Sequence, residues 1–64
     1  MLRAGEQIIT LLHERGGVFK GGKNEFRSLL GIKMTSLEIA WHRLCADQIT
    51  SKGGSYRAPE WRLE

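Results

Sequence analysis

The sequence predicts a mostly α domain, three helices with a small antiparallel β-hairpin at the end. Three observations predict it. Apolar residues recur at three- and four-residue spacing in the segments 4–15, 24–30 and 35–47. Glycines separate those segments, at Gly16-Gly17, Gly21-Gly22 and Gly31, where helices commonly stop. From Ile49 the period turns strand-like on either side of Gly53-Gly54.

The first helix, about 4–15, carries Ile8, Leu11 and Leu12 on one stripe, with Glu6, Gln7, Glu14 and Arg15 outside it. Val18-Phe19 is an apolar step long enough for a minimal strand. Asn24 is a good N-cap for the second helix, about 24–30. There Phe26, Leu29 and Leu30 form the buried stripe, and Lys23, Glu25 and Arg27 stay in solvent. Gly31 takes the sharp turn, since it adopts positive φ without steric cost, and Ile32 anchors it. Thr35 or Ser36 caps the third helix, about 35–47, and Glu38 completes a capping box with Thr35. Leu37, Ala40, Trp41 and Leu44 give that helix one continuous buried face. The hairpin, about 49–63, runs as Ile49 to Lys52, a Gly53-Gly54 turn, then Ser55 to Ala58. Pro59 marks an edge or a bend, because it cannot donate to a ladder. Trp61 and Leu63 alternate with Glu60, Arg62 and Glu64 and pack back onto the helices.

Sixty-four residues make a single domain, 1–64. A chain this short buries only about 60% of the surface its unfolded form exposes, which disfavours a deep catalytic cleft. No nucleophile, base and orienting group stand in a catalytic pattern, and no Gly-Lys-Ser or Gly-Lys-Thr follows a buried strand. The chain is therefore expected not to be an enzyme and to need no cofactor. Ten Lys and Arg against seven Asp and Glu leave a net charge of +3, which suits a polyanionic partner. Cys45 stands alone, so no intrachain disulfide forms, and a small domain without such staples fits a reducing cytoplasm. The start of the chain lacks the apolar core of a signal peptide. No apolar run approaches the ~20 residues that span a bilayer. A soluble cytoplasmic protein without a membrane partner is the expectation. His13, His42 and Cys45 are too few and too poorly spaced for a closed zinc site, so no metal is expected.

The most specific run is Leu30-Gly31-Ile32, then Thr35-Ser36-Leu37, Ala40-Trp41 and Arg43-Leu44, with the hairpin after Ile49. In this order and spacing the chain resembles the winged helix-turn-helix family of bacterial and phage transcription regulators, from about Ala4 to Leu63. It departs from the family's pattern at Gln48, where glycine often ends the third helix. It departs again at Met34, Glu38 and Ile39, where many members present Arg, Ser or Gln to the bases. The resemblance implies sequence-specific binding of double-stranded DNA by a small transcriptional regulator, with the third helix in the major groove. Lys33, Met34, Thr35, Ser36, Ile39 and Arg43 are then the candidates on that helix. Arg43 suits a guanine, the hydroxyls suit several bases, and Ile39 or Met34 suits a thymine methyl. Lys52, Ser55 and Arg57 on the wing suit phosphates or the minor groove, and Lys23 and Arg27 at the second helix suit phosphate. Tyr56 is expected to pack at the wing base. A domain this small contacts few phosphates, so two copies on half-sites about 34 Å apart are expected, with Met1, Leu2, Ile9, Leu11 or Trp61 for the self-contact. A chain that is almost all DNA-binding domain suits a phage or plasmid regulator. The alternative is a winged-helix adaptor that binds protein through Ile39, Met34 and Ile9, with little affinity for DNA.

Overall fold

The computed structural model describes residues 3–64. Helices α1 (Ala4–Glu14), α2 (Lys23–Leu30) and α3 (Met34–Ala46) make up about half of the chain. They pack on one antiparallel sheet of β1 (Val18–Lys20), β2 (Thr50–Gly54) and β3 (Pro59–Leu63), in the order β1-β3-β2. The minimal strand at Val18 thus closes the sheet: Val18 pairs with Arg62, Phe19 with Trp61 and Lys20 with Glu60. No helix among the described residues is long and apolar enough to cross a membrane. Met1 and Leu2, two of the expected self-contact residues, lie outside the described residues.

The core is seven apolar side chains, Ile8, Leu12, Phe19, Phe26, Leu37, Leu44 and Trp61, drawn from all three helices and two strands. Its centre is aromatic. The Phe26 and Trp61 rings stack with centroids 4.6 Å apart, Phe19 lies 5.0 Å from Phe26, and Trp41 meets Trp61 edge-on at 4.9 Å. Trp61 is 2% exposed, and its indole Nε1 donates to the Gly21 carbonyl at 2.9 Å. That bond ties β3 to the loop before α2 and satisfies a polar group at the edge of the core. Trp61 is therefore occupied in the core and offers no surface for the expected self-contact.

Several local expectations change under tertiary packing. The N-cap position of α2 is Gly22, not Asn24, and that of α3 is Lys33, with no side-chain cap at either. Thr35 and Ser36 fall inside the first turn of α3, because Ile32 and Met34 are drawn onto the core and the helix begins one residue earlier. Leu29 is half-exposed instead of buried. Arg27 is half-buried instead of solvated, and its Nη1 donates to the Ile32 carbonyl at 3.2 Å, clasping the turn between α2 and α3. Gly31 closes α2 at φ +68°, as the turn requires.

The hairpin turns later than its glycines suggest. Gly53 and Gly54 pair within the ladder, opposite Glu60 and Pro59. The reversal is made by Ser55–Ala58, whose end residues exchange backbone hydrogen bonds at 3.2 Å in both directions. Gly54 suits its place in the ladder because its φ is +76°. A Cβ on Gly54 would collide with the Ala58 backbone carbonyl, whereas one on Gly53 would meet only the movable end of the Arg62 side chain. Burial of Trp61 on the inner face fixes the register, with Lys52 opposite it and on the same face. Pro59 opens the central strand β3 and does not mark an edge; as its first residue it can be spared the donor it lacks.

Candidate nucleic-acid interface

Helix α3 buries Leu37 and Leu44 and half-buries Ala40 and Trp41. The complementary positions Thr35, Glu38, Ile39 and His42, at i, i+3, i+4 and i+7, are all exposed. They form one solvent-facing stripe along the N-terminal two-thirds of the helix. Ile39 is 59% exposed, a large value for an aliphatic side chain that has a core nearby.

Basic residues flank this stripe on both sides. On the hairpin side lies a groove of about 390 Å³ between α3 and the sheet, lined by Lys23, Glu38, His42 and Lys52 over a floor of Trp41 and Trp61. Lys23 and Lys52 also line the adjoining recess of about 670 Å³, which runs past Gly53 and Gly54 to Tyr56. The Lys52 ammonium sits 3.8 Å from the centroid of the Trp61 ring, which holds the charge at the groove wall. Lys23 Nζ bonds Glu38 Oε1 at 3.0 Å, bridging α2 to α3. Glu38 thus pairs with a lysine instead of completing a capping box.

On the α1 side, Ser36, Ile39 and Arg43 line a second groove of about 470 Å³ with Arg3, Glu6 and Ile9. The candidates foreseen from sequence are therefore divided by α3. Lys23 and Lys52 lie toward the hairpin, and Ser36, Ile39 and Arg43 lie toward α1. Lys33 and Thr35 are exposed at the start of α3. Met34 is half-buried against the core, which leaves little of it for a thymine methyl. Arg27 is occupied by the Ile32 carbonyl. Ser55 accepts from the Ala58 amide within the turn, at 3.2 Å. Tyr56 does not pack at the wing base; it is fully exposed at the tip beside exposed Arg57.

Glu38, which the sequence presents on the third helix, and His42, which it places exposed or at a groove edge, both line this groove, on the helical period complementary to Leu37, Trp41 and Leu44. His13 is exposed on α1, whereas Cys45 Sγ lies 3.4 Å from the Thr50 hydroxyl against β2. The structure does not bring these side chains together with His42, and no metal-binding cluster occurs among the described residues.

Glu60, on the outer face of the sheet, is the one carboxyl group among the described residues held below its ordinary range. A hydrogen bond from Arg62 is the main cause; partial burial opposes it, and the charges of Arg62 and Lys20 assist. Arg62 donates to Glu60 Oε1 at 2.7 Å from Nη2 and 3.2 Å from Nε. This pair lies away from the α3 stripe and belongs to the sheet's stability.

No family model, curated protein or solved structure matches the chain.

Proposed function

We propose that this chain is a winged helix-turn-helix protein that binds double-stranded DNA, with α3 in the major groove and the β2–β3 hairpin as the wing on backbone or minor groove. One observation carries the reading. The exposed stripe Thr35, Glu38, Ile39 and His42 runs between two flanks that carry Lys23 and Lys52 on one side and Arg43 and Arg3 on the other. The flanks hold four cations and one acid, Glu6, and an exposed helix face with such a positive balance on both sides suits a groove walled by phosphates. The fully exposed Tyr56 and adjacent Arg57 extend the same surface at the hairpin tip. A small regulator acting as two copies on neighbouring half-sites remains the form of this reading, because one copy offers few phosphate contacts.

The test is fluorescence anisotropy on random 25-mer duplexes across a salt series. If Lys23, Lys33, Lys52 and Arg57 each neutralise one phosphate, log K falls with log salt at a slope of about −3.6. Lys52→Ala/Arg57→Ala then reduces the slope by about 1.8. A folded native chain that binds no duplex at low salt refutes the reading.

One observation favours a second reading, a protein-binding adaptor. The groove between α1 and α3 joins Ile9, Ala40 and half-exposed Ile39. Loss of DNA binding together with retention of a protein partner through Ile39 is its signature.

A further inference from the structure

We propose that Glu38 reads a cytosine and that Lys23 holds it neutralised until DNA arrives; this rests on the DNA-binding reading above. Glu38 is the only acid on the exposed stripe of α3, and it lies in the N-terminal half of the helix, the part that approaches base edges. A carboxylate is acceptor-only. In the major groove it therefore suits the cytosine N4 amino group and rejects the acceptor edges of guanine and the O4 of thymine; adenine offers an N6 donor too, but its N7 acceptor beside it repels the carboxylate. Thr35, by contrast, can donate or accept and discriminates less.

A bare carboxylate on this face would meet the phosphates unfavourably. As DNA approaches, Lys23 offsets that charge, since its Nζ bonds Glu38 Oε1 at 3.0 Å. Both side chains are 49% exposed, and ion pairs this open are weak, so Lys23 can change partner at little cost. Lys23 also lines both the groove beside α3 and the recess beneath the hairpin, so a phosphate in either can compete for it. The exchange moves Lys23 onto a phosphate and leaves both carboxylate oxygens for the base. Non-cognate DNA supplies the phosphate but not the N4 donor, and it leaves Glu38 without a partner. The pair thus weakens binding to random sequence more than binding to the preferred site.

The experiment selects a preferred site from random 25-mer duplexes with the native chain. It then measures anisotropy across a salt series for the native chain, Lys23→Ala and Glu38→Gln, on that site, on its single-base variants and on random duplex. Circular dichroism melts verify that both exposed substitutions leave the fold intact. Lys23→Ala is expected to reduce the salt slope by about 0.9, one phosphate fewer. Glu38→Gln is expected to keep the slope and tighten random-duplex binding about two- to five-fold. It should also lose about a ten-fold preference for cytosine at one base pair. An unchanged slope in Lys23→Ala places that lysine on Glu38 even in the complex and overturns the exchange. An unchanged base preference in Glu38→Gln overturns the readout. If the folded native chain binds no duplex, the DNA reading fails, and this inference fails with it; the two failures are thus distinct.

Discussion

Gln48 stands in a backbone conformation that favours glycine, and replacing it should stabilise the protein. Its φ is +61°, the one positive value outside glycine among the described residues. The geometry is imposed by the end of α3. The Gln48 amide donates to the Cys45 carbonyl at 3.0 Å, and the Ile49 amide donates to the Leu44 carbonyl at 2.9 Å. These are the two bonds of a Schellman stop, in which the residue after the cap is left-handed. The same stop ends α1, with Gly16 at φ +74° and bonds from Gly16 to His13 and from Gly17 to Leu12. A side chain in the left-handed region costs about 1–2 kcal/mol. Glycine removes that cost but adds unfolded-state entropy of about 0.5–1 kcal/mol. Gln48→Gly should therefore gain about 0.5–1 kcal/mol. Gln48 is exposed, so little packing is lost. In a domain of this size the gain corresponds to a Tm rise of about 3–6 °C. Urea denaturation measures it, with Gln48→Ala as the control expected to change little and Gly16→Ala expected to lose about 1 kcal/mol. A neutral or destabilising Gln48→Gly, beside a costly Gly16→Ala, refutes the equivalence of the two stops.

The remaining predictions concern the core, the turn and the sheet. Trp61→Phe keeps an aromatic ring against Phe26 but leaves the Gly21 carbonyl without its indole donor, and it should cost about 1–3 kcal/mol in urea melts. Arg27→Met removes the clasp onto the Ile32 carbonyl and should cost about 1–2 kcal/mol, while leaving the salt slope of the proposed DNA binding unchanged, because Arg27 serves the fold. For Glu60 the sign follows from its lowered pKa. The Arg62 bond stabilises the fold fully above the ordinary value of 4.5, and that contribution is lost as pH falls through the lower folded-state value. Glu60→Gln should therefore melt below the native chain at neutral pH, with the difference narrowing as the pH falls below the ordinary value of 4.5. A difference that widens on acidification contradicts the assignment.

Local chemistry along the chain determined the elements themselves. Helix stripes such as Leu37, Ala40, Trp41 and Leu44, the glycine at 31 and the alternation of Trp61 and Leu63 need only a turn or a pleat to express. They placed the three helices within a residue or so and sent both tryptophans toward the core. Tertiary structure decided what depends on neighbours distant in sequence. The Gly53-Gly54 pair looks like a turn in sequence, yet pairing with Glu60 and Pro59 of β3 holds it within the ladder. Val18–Lys20 became a true strand because β3 lay open on one edge to receive it. The division of the basic residues also came from packing. Lys23 rests on Glu38, Arg27 on the Ile32 carbonyl and Lys52 on the Trp61 ring, while Arg57 stays exposed at the hairpin tip. Sequence spacing shows which face of a helix a charge occupies. Which charge is already engaged depends on contacts such as that between residues 23 and 38, made only once the helices have docked.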